Sequence, residues 1–168
     1  MELQIERLHI RSLRETDWPE LQKIWMDFEG SAYAVYDAPL PTDAEGAKAL
    51  TQKFAENGLF FAVCLPDRPA EPVVGYVGFH KEGQSFDLGY CFHSAYQGKG
   101  YAYESVRALI GRLAEEYPAA VFTAGTALEN TPSCRLLRKL GFACLSTETV
   151  SFDGKFSFQG GNFMLESN

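Results

Sequence analysis

The segment 86–117 constrains this chain most tightly. An alternating run, FDLGYCFH, enters the glycine turn Gln97-Gly98-Lys99-Gly100-Tyr101-Ala102, and a long helical pattern follows at once. Glycines at 98 and 100 carry no Cβ and reach backbone angles that other residues resist. Open N–H groups in such a turn, with the positive end of a helix behind them, make an anion site for which phosphate is the natural occupant. The turn is not a P-loop, because Lys99 lies between the glycines and is followed by Gly100 rather than by Ser or Thr. Nor is it a dinucleotide fingerprint: position 103 is Tyr, and Glu115 and Glu116 fall at the helix end rather than after a second strand. Taken alone, the two glycines read equally well as a tight turn that holds nothing.

The wider pattern carries more. Gln97-x-x-Gly100-x-Ala102 is followed by Asn130-x-x-Ser133, then by Leu137, Lys139 and Gly141-Phe142. This resembles the GNAT superfamily of N-acetyltransferases, whose acyl-CoA pyrophosphate loop reads [Q/R]-x-x-G-x-[G/A]. Its next signature, N-x-x-[A/S], opens a helix that stops at G-F. The opening Ile5-Glu6-Arg7-Leu8-His9-Ile10-Arg11, with Asp17 after it, further resembles the branch that acetylates ribosomal-protein N-termini. The resemblance runs from about residue 5 to 165.

Composition agrees with a single domain over 1–168, globular at 46% hydrophobic and 14% aromatic residues. No charged n-region with an apolar run opens the chain, and the run 59–65 is too short to cross a bilayer, so a cytoplasmic protein without a membrane partner is expected. Cys64, Cys91, Cys134 and Cys144 show neither C-x-x-C nor metal-like spacing with the histidines; they read as reduced thiols, and no metal is expected. Fifteen Lys+Arg against 22 Asp+Glu give a net charge of −7, which argues against a nucleic-acid partner and permits a basic acceptor.

Periodicity predicts a strand over 2–13 and a helix capped by Thr16 or Asp17 that runs to about Phe28 and buries Leu21, Ile24 and Trp25 or Phe28. A second helix capped by Thr42 should end near Asn57-Gly58. Strands follow at 59–65 and 72–81, joined by a turn at 66–69, and then at 86–93. The helix from Gly98 places Ala102, Val106, Leu109, Ile110, Leu113 and Tyr117 on one face, and Pro118 stops it. A strand at 120–126, a helix at 131–140 and a hairpin of 142–152 with 155–165 about Asp153-Gly154 complete the chain. The order is α+β, and it matches the acetyltransferase fold: a mixed, mostly antiparallel sheet of six to seven strands, splayed in the middle, with helices on both faces.

The resemblance implies that strands 86–93 and 120–126 part at one end and admit the pantetheine arm of acetyl-CoA. That arm would bond the backbone near Cys91, Phe92 and His93. N–H groups of Gln97, Gly98, Lys99, Gly100, Tyr101 and Ala102 would hold the pyrophosphate, and a main-chain amide at the splay would polarise the thioester carbonyl. Asn130 would bond the arm and Ser133 lie near the sulfur; equally, Asn130 or Thr131 is the N-cap of a helix with Pro132 in its first turn. Many relatives carry, at the position of Leu137, a tyrosine that protonates the departing thiolate. Here the acid is Ser133, a water, or no protein group.

The base depends on the acceptor. At pH 7 roughly one in six α-amines is neutral, against about one in two thousand lysines. Asp87, two residues before Gly89, ranks first as catalytic base or amine orienter, with His80, Glu29 and His93 behind it. Glu29, Tyr33, Tyr36 and Asp37, between the first two helices, suit a cationic amine, or else form a surface loop with aromatics tucked onto the sheet. The reading is an acetyl-CoA-dependent N-acetyltransferase, monomer or homodimer, acting directly on a primary amine of a protein N-terminus. The alternatives are a polyamine, aminoglycoside or amino acid acceptor, or a non-catalytic CoA-binding module.

Overall fold

The N-terminal run alternates like one strand, yet it folds back on itself. In the computed structural model, which describes residues 1–66 and 72–166, β1 (Glu2–Gln4) pairs antiparallel with β2 (His9–Ser12). The Ile5 N–H donates to the Leu8 carbonyl at 2.9 Å and closes the turn. Alternation fixes which face a side chain takes but not where a strand reverses, so the sheet has eight strands rather than six or seven.

Strands β3 (Phe60–Cys64), β4 (Val73–Glu82), β5 (Ser85–Phe92), β6 (Val121–Ala127), β7 (Phe142–Val150) and β8 (Phe158–Leu165) complete it in the order β1-β2-β3-β4-β5-β6-β8-β7. Strands β5 and β6 run parallel, and the other neighbours are antiparallel. The apolar run 60–64 is continuous because β3 is buried on both faces: Phe61 and Val63 join one core, Phe60, Ala62 and Cys64 the other.

Helices α1 (Trp18–Glu29) and α2 (Ala44–Asn57) cover the second core, and α3 (Tyr101–Glu116) and α4 (Thr131–Lys139) the first. In α1, Leu21, Ile24 and Trp25 are buried, whereas Phe28 is half-buried. Trp25 Nε1 donates to the buried Tyr76 hydroxyl at 3.0 Å, and Phe54 stacks on Phe60 with ring centroids 3.9 Å apart. The Phe60 ring lies over Gly78, where a Cβ would come within 2.3 Å of it.

Two expected caps differ. Asp43, not Thr42, caps α2 by accepting the Gly46 N–H at 2.8 Å. Asp17 precedes α1, but its carboxylate accepts the Arg14 N–H and both Arg11 terminal nitrogens, each at 2.8 Å. A buried guanidinium outcompetes helix amides for that carboxylate. Gly58 closes α2 at φ 77. Helix α3 starts at Tyr101, later than expected, because the positive φ angles of Gly98 and Gly100 hold the preceding residues out of the helix. In the hairpin, β7 ends earlier and β8 starts later than expected: the Asp153 carboxylate draws in the Lys155 and Phe156 amides and widens the loop. The turn expected at 66–69 lies largely outside the described residues. Among those described, no helix is long and apolar enough to cross a membrane.

Candidate active site

Strands β5 and β6 pair from Ser85↔Val121 to Leu88↔Ala124 and no further. Beyond that row β5 stays with β4, while Gly125, Thr126 and Ala127 stay with β8, so the sheet opens between its two halves. The His93 N–H donates to the Val74 carbonyl at 3.1 Å, which sets the antiparallel alternation of β5. By that alternation Cys91, like His93, turns its peptide groups to β4, and Tyr90 and Phe92 turn theirs to the opening. The Phe92 carbonyl there accepts the Gln97 side-chain amide at 2.8 Å.

The opening leads to the glycine turn. Gly98 has φ 72 and Gly100 φ 86, and among the described residues the N–H groups of Gly98, Gly100, Tyr101 and Ala102 meet no acceptor. The run of open amides begins at Gly98, because the Gln97 N–H donates to the Ser94 carbonyl at 3.2 Å. Lys99 offers its carbonyl to Arg7 Nη2 at 2.7 Å. Arg7 also binds the Glu104 carboxylate, and its guanidinium lies 4.9 Å from the Tyr101 ring centroid. On the other flank, Asp27 accepts the Ser94 amide at 2.7 Å and its hydroxyl at 2.6 Å. Burial by itself would raise the Asp27 carboxyl, but the Ser94 bonds and nearby His93 hold it below the usual carboxylate range. His93 Nδ1 accepts the Ala95 N–H, so this ring buttresses the turn.

Asn130 caps α4, its Oδ1 accepting the Ser133 N–H at 3.3 Å. The Ser133 hydroxyl lies 2.7 Å from the Tyr90 hydroxyl, a bond that crosses the opening from α4 to β5. Burial pushes Tyr90 up to about 12, against the opposing effect of Ser133. Leu137, at 1% exposure, is part of the core.

The opposite face has a different character. Gly89 and Gly125 are both exposed, and a Cβ on either would meet open space. One row back Asp87 accepts the Thr123 hydroxyl at 3.1 Å, beside a shallow depression of about 590 Å³ lined also by His80, Lys81 and Ser85. His80 itself is exposed, with its ring edge on Phe60. Glu29 accepts the Leu40 N–H at 3.0 Å, which folds the segment after α1 back on itself. Tyr33 is half-buried, and Tyr36 reaches across to Phe158 at 5.4 Å between centroids. Asp37 keeps an edge in solvent, yet burial raises its carboxyl and Glu29 adds to the effect. The Cys91 thiol, half-buried on this same face, is pushed up to about 12 by burial and then by Asp37, Asp27 and Glu29. It stays a neutral thiol and a poor nucleophile.

Residues 7–143 match the family described as an acetyltransferase (GNAT) domain. The chain belongs to this GNAT acetyltransferase family. An uncharacterized N-acetyltransferase of Bacillus subtilis, YnaD, is 29% identical over 147 residues, covering 84% of this chain and 82% of its own. A GNAT-family acetyltransferase structure from Bacillus anthracis aligns with a TM-score of 0.84 at 24% identity over 98% of each chain. RimL, a ribosomal L7/L12 α-N-protein acetyltransferase solved with coenzyme A, aligns at 0.81 and 15% identity over the full length of both. The protein is an acyltransferase.

Sequence reasoning missed two residues of this acetyltransferase. Arg7 sits in a turn far from the site in sequence, and nothing local tells that it will grip Lys99 and Glu104. Tyr90 did carry a signal. It is the polar, partly buried member of the inward-facing trio Leu88-Tyr90-Phe92, placed where the strand loses its neighbour.

Proposed function

We propose that this acetyltransferase moves the acetyl group of acetyl-CoA to the N-terminal α-amine of a protein, by direct attack while both substrates are bound. The opening between β5 and β6 carries this reading. It runs from the free amides before α3 to Gly89 and Gly125 on the opposite face, just past the last paired row, so donor and acceptor meet from two sides. The pyrophosphate sits on the amides of residues 98–102, with the helix dipole behind it. The pantetheine arm lies along β5 and bonds the edge that Tyr90 and Phe92 expose. The Tyr90 N–H meets the thioester oxygen as charge grows there, a donor worth about 3 kcal/mol. A neutral Cys91 thiol favours direct transfer over an acyl-enzyme.

Asp87, one row behind the glycines, takes the amine proton through a water or orients the amine. A weak base suffices for an α-amine, which is partly neutral at pH 7. Glu29, Tyr33, Tyr36 and Asp37 wall the acceptor, and the likeness to RimL supports a peptide there. A small polyamine is the second reading, favoured by the closeness of Glu29 and Asp37, whose charges act on each other.

Thiol release from acetyl-CoA with an amine panel separates them. Peptides with free N-termini should turn over and the same peptides with blocked N-termini should not. Turnover confined to polyamines, aminoglycosides or free amino acids would replace the first reading with the second.

A further inference from the structure

Among the described residues, the Tyr90–Ser133 bond is a side-chain hydrogen bond that reaches over the opening on the α3–α4 face, and neither strand packing nor helix capping requires it. Leu88 already holds β5 in the core, and Asn130 already caps α4. Two hydroxyls 2.7 Å apart share one hydrogen and leave the other unassigned. The phenol is the stronger acid of the two, so Tyr90 donates and Ser133 accepts. The Ser133 hydrogen is then free to point elsewhere, and beside it lies the opening.

We infer that Tyr90 fixes the Ser133 hydroxyl as a hydrogen-bond donor to the sulfur of coenzyme A, so that the pair holds the thiolate as it departs. Ser133 touches the leaving group and is catalytic; Tyr90 acts through it and is a positioning residue. The inference rests on the pantetheine arm lying in the opening, as the proposed function has it. In the step itself the C–N bond forms and the C–S bond breaks, with the electron pair going to sulfur. The amine proton leaves through a water toward Asp87, and neither hydroxyl ionises. Burial keeps Tyr90 a neutral phenol throughout the working range. With Ser133 one turn before Leu137 on α4 and Tyr90 reaching it from β5, the pair thereby takes over a task that the buried Leu137 cannot perform.

Thiolate absorbance of coenzyme A bound to the whole protein tests this without any acceptor. In the wild type the bound thiol should ionise about tenfold more readily than a free thiol of pKa about 8.5, the effect of one donor on a charged acceptor. Tyr90→Phe and Ser133→Ala should each abolish that gain, the double variant should do no more than either, and Ser133→Thr should restore it. Coenzyme A affinity at neutral pH should change little in all four. With a working acceptor, Tyr90→Phe should lower kcat on the order of tenfold and leave KM for acetyl-CoA unchanged. A bound thiol that titrates identically in wild type and Tyr90→Phe overturns the inference, as does an undiminished kcat. Because the titration uses only coenzyme A, its failure leaves the α-amine reading standing, and failure of the peptide panel leaves the titration interpretable.

Discussion

The guanidinium of Arg7 donates to the carbonyl oxygen of Lys99 at 2.7 Å, tying the turn between β1 and β2 to the turn that opens α3. The same side chain holds the Glu104 carboxylate, one turn into the helix. With its carbonyl tethered to Arg7 on one side, the Lys99 peptide keeps the glycine turn in the shape that leaves its amides open.

Replacing Arg7 with Met should therefore loosen the glycine turn, the proposed phosphate site, without unfolding the protein. The pair is exposed, so coenzyme A affinity should fall by about fivefold at most, the ceiling for a solvated ion pair. Calorimetric titration with coenzyme A measures it, and the deficit should shrink as salt is added.

Gly100 has φ 86, and a Cβ there would come within 3.2 Å of Arg7 Nη2. Gly100→Glu should cost about 1–2 kcal/mol of stability from the left-handed backbone alone. It should lose coenzyme A binding altogether, because a carboxylate then faces the phosphates. Unchanged affinity would contradict the assignment of this turn.

Arg11 and Asp17 form a two-bond ion pair with side chains only 13% and 9% exposed. Asp17→Ala strands the guanidinium and frees the Arg14 amide, which should destabilise the fold by about 3–5 kcal/mol in urea unfolding. Replacing Arg11 and Asp17 together with Met and Leu should recover part of that loss, since no buried charge is left unpaired.

Asp27 titrates below its ordinary value when folded, so the sign of its pH dependence is determined. Its contribution is present above the unfolded carboxylate value of about 4 and is lost as pH falls through the lower folded value. The stability difference between wild type and Asp27→Asn should be constant from neutral pH down to about 5, begin to shrink near 4, and vanish only once pH is below the lower folded value. Coenzyme A affinity should follow it, because Asp27 anchors the turn just before the glycines.

Local chemistry made much of this molecule readable. Periodicity located α1 and α3, because Leu21, Ile24 and Trp25, or Val106, Leu109 and Leu113, recur at the spacing a half-buried helix requires. Glycines 98 and 100 marked the open amides, because few other residues accept those backbone angles. Caps were less legible. Thr42 and Asp43 are both good N-caps by type, and only the closing geometry selects Asp43.

The chain by itself determined the element order after the N-terminal hairpin, the two apolar faces of the sheet and the glycine turn, since each depends on residues within a few positions of one another. Tertiary structure alone decided that β5 and β6 part after Leu88 and Ala124, that Arg7 braces Lys99, and that Tyr90 meets Ser133. Those relationships join residues that are remote in sequence and adjacent only once both cores have closed, and no local propensity encodes a distance between two elements.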